Sequence, residues 1–578
     1  MNGWGAAALG LSCGGYMLAF ARVFGGWLAP LTALCALGLF LYCGALAGLL
    51  EAAAAAALAG GVACLAVCLA QKRPRWGPAR LGAVCFAAGC VPFLWQAAGM
   101  ELTHYDNFSH WALVVKYLLC AGGLPGADAV LVPFRNYPPG TAVLLYYFCR
   151  WLGHGQGVML LAQTGLLLAC FAAVFGAVGE PRRFLLYAFL GAGCALLSYL
   201  NLTIRINSLL VDFLLPLLSL AGLAAARRLR GRPAAGAVAA GLIGGFAVLV
   251  KDTGLFFAAV GLGGFFAALA GEKGLSARRR WGLGALAAAL ALAPRLAWQH
   301  HLATALAGLE GKFDPAAQLE RVEPALYASL TRAFFAAAAD LSGRAARGIL
   351  FSAVAALALG AFARWGLGRR WHTGRALARA GGVLAAYYGG LWGLYLFLMP
   401  RQEALVLAGF DRYACSGAVL FAGLLLLWAE GEMERSFAVD IDAAPPGRAW
   451  ASPAAKRRYQ NAVLALLAVA ASFLYSEYSG LAALGRQYPA SLPARVRALT
   501  GDVWPAGGAP DGRRYLVLAS DEEGQVSNGM VAYVCRYYLF APDVTVVSRL
   551  SAAAGQYDRL LVLDAPAGGP PPGLYDLG

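Results

Sequence analysis

Glu101-Leu-Thr-His-Tyr-Asp-Asn-Phe-Ser-His-Trp111, with its sequel Arg135-Asn-Tyr-Pro-Pro-Gly-Thr141, is the most polar run in the first two hundred residues of a very apolar chain. Long hydrophobic blocks enclose it, so it falls where a membrane segment meets water. Asp106, Ser109 and His110 follow the i, i+3, i+4 spacing that places side chains on one helix face. Phe108, Trp111, Val115 and Leu118 predict a helix lying in the bilayer interface with its apolar side down. A carboxylate and an imidazole held at a membrane surface have the look of a site.

The surrounding composition sets the class. Of 578 residues, 60% are hydrophobic and only 13% charged, and the mean hydropathy is +0.63. Soluble domains carry about 25% charge, so the expectation is a polytopic membrane protein. The net charge of +16 suits cytosolic loops, which collect Lys and Arg. No basic run is interleaved with aromatics as a nucleic-acid groove requires, which excludes nucleic acid as a partner. The cysteines lie mostly inside apolar runs, without C-x-x-C spacing, and read as small apolar helix residues. The first ten residues hold no Lys or Arg, so the charged start of a signal peptide is missing.

A membrane span needs roughly 20 apolar residues. Candidate spans are 5–21, 26–50, 52–70, 81–100, 156–178, 184–201, 209–226, 233–250, 255–271, 282–297, 346–364, 380–400, 412–429 and 461–478. The stretch 139–152 follows Pro138-Pro139, is too short to span, and reads as interfacial or re-entrant. With these spans the basic loops 71–80, 180–183, 227–232, 272–280, 364–379 and 431–458 all fall on one side, which makes that side the cytosol. The outer face then receives 101–155, 202–208, 251–254, 298–345, 401–411 and the tail. In the tail, 514–520, 544–548 and 559–564 are β-like, with a helix expected between the first two. The predicted organisation is N-terminal helices over 1–80, a helical core over 81–430 and a cytosolic linker over 431–460. A last span over 461–478 precedes a small α/β extramembrane domain over 479–578.

Isolated ionisable residues cluster on the outer face. Asp212 stands a few residues into an apolar span, where a carboxylate costs about 2.5–3.5 kcal/mol; it either caps the span in water or lines a polar cavity. Lys251-Asp252-Thr-Gly254 interrupts two apolar segments, as a plain turn or as a binding loop. Arg135, Arg205, Arg401 and Arg412 add cations, and together they suit a phosphate or pyrophosphate approaching from the lipid. Tyr137-Pro-Pro-Gly140 removes two N–H donors and fixes a rigid turn. His300-His301 has no carboxylate partners that would support a metal. P-loop, G-x-S-x-G and H-E-x-x-H patterns are missing, which weakens nucleotide-driven transport and standard hydrolase chemistry.

At these residues the chain resembles the GT-C class of membrane glycosyltransferases, among them protein O-mannosyltransferases, aminoarabinose transferases and oligosaccharyltransferases. The resemblance lies in Asp106-Asn-Phe-Ser-His-Trp-Ala-Leu-Val-Val-Lys116, in the turn Tyr137–Thr141, in Asp212, in the lysine-bearing turn at Lys251, and in Phe410-Asp-Arg-Tyr413. It covers roughly 80–430. The chain departs by carrying about three spans before the first-loop helices and a single acid at 106. The resemblance implies an all-α bundle of about fourteen spans. It implies a sugar donor on a polyprenyl phosphate, a glycan, lipid or protein acceptor, and inversion at the anomeric carbon. Asp106 would be the base, His110 would orient it or the acceptor, and Asp212 would bind the acceptor or a divalent ion such as Mg or Mn. Arg135, Lys251 and Arg412 would neutralise the lipid phosphate, with Tyr137 and Asp252 in the binding loops. It further implies a bacterial plasma membrane with the active site outside. A flippase of lipid-linked sugars needs the same cations and carboxylates, and a glycan ligase or polymerase shares the donor. Both remain open.

Overall fold

The computed structural model describes residues 3–71, 81–201, 205–309, 324–436, 450, 452–505, 507–521, 524–550, 555–564 and 570–577. Of the expected basic loop 71–80, residues 72–80 lie outside these residues, as do 437–449 and 451 of the linker 431–460 and 310–323 of the outer loop. Each predicted span falls on a helix. Nine helices among the described residues are long and apolar enough to cross a membrane, and further apolar helices such as Phe184–Leu200 and Gly254–Ala270 are shorter. The chain is an integral, multi-pass membrane protein.

Helix association in lipid needs close backbone approach, because the tails are as apolar as the side chains. Gly3–Phe24 and Leu50–Ala70 achieve it with glycine: a side-chain carbon at Gly15 would sit 1.9 Å from the Gly61 carbonyl oxygen. The Pro-Pro-Gly turn uses the same device. Gly140 opens the helix Gly140–Leu152, donates its N–H to the Leu249 carbonyl at 2.8 Å, and has no room for a Cβ against it. This short helix is buried among its neighbours.

Two sets of loops gather at opposite ends of the bundle. At one end Glu434 accepts from the Gly179 N–H at 2.8 Å and pairs with Arg227 at 2.6 Å, and Trp371 donates to Ser436 at 2.9 Å. At the other, Asn107 reaches Leu209, Trp298 donates to the Asn136 carbonyl at 3.2 Å, and the tail packs on the first loop. The helix of the last span runs Pro453–Gln487 and so projects well past 478.

The tail holds a four-stranded sheet: β1 Tyr515–Leu518, β2 Val544–Val547, β3 Arg559–Val562 and β4 Gly573–Asp576, in the order β2-β1-β3-β4. The first three run parallel, and β4 is antiparallel to β3. Helix Met530–Leu539 crosses from β1 to β2, as a parallel connection requires. The strand β4 was not foreseen: Gly573-Leu-Tyr-Asp576 is too short and too polar to carry an alternation signal.

The first-loop helix does not lay its apolar side on the bilayer. Phe108, Val115 and Leu118 are fully buried, with Phe108 edge-on to Tyr537 at 5.3 Å. The tail helix carries its own aromatic face, and the two apolar faces cover each other instead of meeting lipid. Lys116 is pinned in this interface at 0% exposure. It donates to Asp502 Oδ1 and to the Tyr537 carbonyl, both at 2.7 Å, under the rings of Trp504 and Tyr537. Arg497–Glu101 at 2.7 Å and the Gln156–Tyr538 bond at 3.0 Å complete the seam.

Removing one partner of a buried pair strands the other charge. Asp502→Ala should therefore cost about 3–5 kcal/mol and loosen the tail, read by unfolding and limited proteolysis of the full chain. The double variant Lys116→Met with Asp502→Leu should stay close to wild type, because no charge is left behind. Equal losses in both variants would remove the pair from this role.

Candidate active site

The end of the bundle that carries the tail opens into a cleft enclosing about 1590 Å³, its mouth included. Three connecting segments and one helix start supply its chemistry. Asp106 precedes a π-helical turn, Asn107–Trp111, in which the Ala112 N–H reaches back to the Asn107 carbonyl. This wider turn replaces the α-helical spacing expected for Asp106, Ser109 and His110, yet all three line the cleft. Such turns often mark functional sites. Asn107 fixes the turn from below: its Oδ1 accepts the Leu209 N–H at 2.9 Å, and its Nδ2 donates to the His104 carbonyl at 3.0 Å.

Asp212 is neither inside a helix nor capping one in water. The span begins at Leu214, and 208–213 is an irregular strip that enters it through a turn at 212–213. The side chain is buried, 4% exposed, close to a helix N-terminus whose dipole favours an anion. Lys251 Nζ stands 3.4 Å from Asp212 Oδ1, and Arg412 Nε 3.5 Å from Oδ2. The same guanidinium hydrogen-bonds Asp106 Oδ2. Asp106 and Asp212 are thus bridged by one arginine, and Lys251 closes the group. Tyr413 lies beneath both cations, its ring 4.8 Å from Lys251 Nζ and its hydroxyl 3.3 Å from Arg412.

His110 is buried beside Tyr137, ring centroids 4.8 Å apart, and its Nδ1 has no hydrogen-bond partner. Burial pushes the imidazole down to about 3, so it stays neutral. A neutral ring can offer a lone pair or an N–H to a bound hydroxyl.

The expected surplus of cations is not gathered here. Arg135 donates to the Ala127 carbonyl at 2.7 Å, Asp252 pairs with Arg295 on an exposed edge, and Arg205 pairs with Glu477 at 3.2 Å; none of these residues lines the cleft. Among the described residues the lining carries Lys251 and Arg412 against Asp106, Asp212, Glu403 and Asp411, two cations and four carboxylates. Its inner quartet is balanced, and the remaining acids come from the 403–413 wall. Position 403 was invisible as a site residue, since nothing in its local sequence points to the cleft; His104 and Asn107 were hidden inside the polar run.

A divalent ion does not fit the donor set. Both inner carboxylates already face Arg412, and Lys251 stands beside one of them, so an added ion would meet two cations at once. Among the described residues no three His, Cys, Asp or Glu side chains come together as a metal group.

No family model matches the chain, and no curated protein matches it by sequence. Its structure is similar to that of ArnT from Cupriavidus metallidurans bound to undecaprenyl phosphate, with a TM-score of 0.47 and 15% identity, over 81% of this chain and 86% of that one. At that distance the site has to be read from its own residues.

An imidazole that is neutral in the fold but titrates near 6.5 when unfolded takes its proton first in the unfolded state. The stability it contributes is complete above about pH 6.5 and is lost as pH falls from there toward 3. Relative to His110→Gln, the wild type should lose roughly 1–3 kcal/mol more on going from about pH 7 to about pH 4.5, measured by thermal unfolding in detergent. Superimposable pH curves for the two proteins would contradict a buried neutral ring.

Proposed function

We propose that this chain is a membrane glycosyltransferase of GT-C type, which moves a sugar from a polyprenyl-phosphate donor to an acceptor hydroxyl. The observation that carries the reading is the quartet Asp106–Arg412–Asp212–Lys251: two acids and two cations held within one water-accessible cleft at the end of a membrane bundle. Group transfer from a phosphate ester needs a base for the incoming hydroxyl and positive charge at the leaving oxygen. The cleft is taken to face outward, a reading the basic loops at the other end of the bundle support, and the sugar of an outward-facing lipid would arrive there.

In this reading the acceptor oxygen attacks the anomeric carbon as the bond from that carbon to the phosphate oxygen breaks. The hydroxyl proton passes to Asp106, and the electron pair of the broken bond leaves with the polyprenyl phosphate. Attack opposite the leaving group inverts the centre. Lys251 and Arg412 receive the phosphate, and its arrival draws the guanidinium away from Asp106, freeing that carboxylate to act as base. Asp212 is a positioning residue: it holds both cations in place before the donor binds. His110 and Tyr137 orient the acceptor, and the exposed carboxylate of Asp411 suits sugar hydroxyls as donors. Arg135 and Asp252 have no part, because their side chains are engaged outside the cleft.

The test is turnover of labelled polyprenyl-phosphate sugars in proteoliposomes, with donor binding measured beside it. Asp106→Asn should lower turnover by about 10²–10⁴-fold while still binding donor. Lys251→Ala should weaken donor binding by about 1.5–3 kcal/mol, the worth of a hydrogen bond to a charged group. Label crossing the bilayer with no new glycosidic bond would make the cleft a flippase pathway and end the transferase reading.

A further inference from the structure

A second cavity, enclosing about 1360 Å³ with its mouth, lies between the helices Leu81–Ala98, Gln156–Phe175, Phe184–Leu200 and Pro453–Gln487. Its walls are almost wholly aliphatic and aromatic, with Phe86, Phe93 and Phe171 among them. One end is polar, where Arg205 pairs with Glu477 at 3.2 Å. Among the described residues the cavity shares no lining residue with the cleft. The strip 208–213 stands between them: Leu210 and Phe213 line the cavity, and Asp212 lines the cleft.

Such a space does not stay empty without its lining losing dispersion contacts. Water is a poor filler, because an apolar wall gives it too few hydrogen-bond partners. What surrounds the cavity is hydrocarbon. Val91 and Trp95 on one bordering helix and Leu464 on another are turned outward and exposed, as lipid-facing side chains are, and Cys85 of the lining is itself exposed. The polar end supplies the Arg205 guanidinium, which among the described residues meets Glu477 through one terminal nitrogen and can present its remaining N–H donors to phosphodiester or ester oxygens.

We propose that this cavity is a binding site for one acyl chain of a bilayer phospholipid, with the phosphodiester head at Arg205. The occupant is not the sugar donor, since a lipid seated here has the 208–213 strip between its head and Lys251 and Arg412. The seated chain backs Leu210 and Phe213, and so supports the strip that presents Asp212 to the cleft. The site stands on its own lining and does not depend on the transferase reading.

The experiment uses the full chain in vesicles of phosphatidylethanolamine and phosphatidylglycerol, doped with a phosphatidylethanolamine that carries a diazirine at the end of one acyl chain. Cross-links are mapped on peptides. They should concentrate on the four bordering helices, at residues of the lining. A side-chain carbon at Gly89 meets nothing within 4 Å, so Gly89→Phe projects into the cavity and should abolish those cross-links. Gly263 is equally open but borders neither cavity, and Gly263→Phe should leave the map unchanged. Cross-links spread evenly over the lipid-facing surface of the wild type would overturn the proposal whether or not the variants fold. So would a diazirine-bearing polyprenyl phosphate labelling the same lining and displacing the phospholipid probe.

Discussion

Everything at the working end of this protein depends on burying one carboxylate. Asp212 is 4% exposed at the entrance of an apolar helix, where an unpaired anion would cost several kcal/mol. The charge is tolerable only because Lys251 and Arg412 share it, and each cation arrives from a different element. Their convergence fixes the 208–213 strip, the turn after Val250 and the start of the helix Phe410–Ser436 relative to one another. Ser416 adds a hydroxyl bond to the Asp212 carbonyl at 2.7 Å, and Tyr387 one to the Tyr413 carbonyl at 2.9 Å. Removing Asp212 takes the carboxylate from Lys251, and removing Arg412 takes the cation from Asp106, so the group holds together as a unit.

The first loop is held to this unit from two sides. From below, Asn107 ties it to the backbone of Leu209 and, through Arg412, Asp106 is tied to Asp212. From above, the tail clamps it through Lys116 and the aromatic pair Tyr537 and Tyr538. The tail domain is therefore part of the frame that fixes Asp106, and not a module hung from the last span.

The sequence was a good guide to whatever rests on a run of residues, and a poor one to whatever rests on distance. Each apolar run of span length falls on a helix, and the residues Asp106, His110, Tyr137, Asp212, Lys251 and Arg412 do line or build one cleft. Their isolation in apolar surroundings was the signal, because a lone charge there needs a partner. Arg135 and Asp252 carried the same signal and were satisfied locally, by the Ala127 carbonyl and by Arg295; nothing in their spacing could reveal that. The direction of the first-loop helix was misread for a related reason. An amphipathic helix seeks an apolar surface, and only the fold reveals whether lipid or protein supplies it. Lys116–Asp502 lies beyond any local pattern, since the partners are separated by 386 positions.

The wall of the cleft at 403–413 bears on how the site works. Leu407 holds φ at +47° and Gly409 at +74°; for a branched side chain such as leucine this region costs on the order of 1–2 kcal/mol. The conformation persists because the carbonyls on either side are held: Tyr395 donates to Ala408 at 2.8 Å and to Leu407 at 3.4 Å, and Phe410 is packed against Phe334. A segment locked into an unfavourable conformation by its neighbours is poorly suited to swing between two access states. With the first loop clamped above and below and the quartet drawn from separate elements, the cleft is built to hold one geometry. Charges already in place when a reaction begins are what group transfer requires; in the proposed reaction only the Arg412–Asp106 contact opens, whereas alternating access would have to re-aim the first loop and the 403–413 wall together on every cycle. Rigidity at this end of the bundle thus favours chemistry over transport.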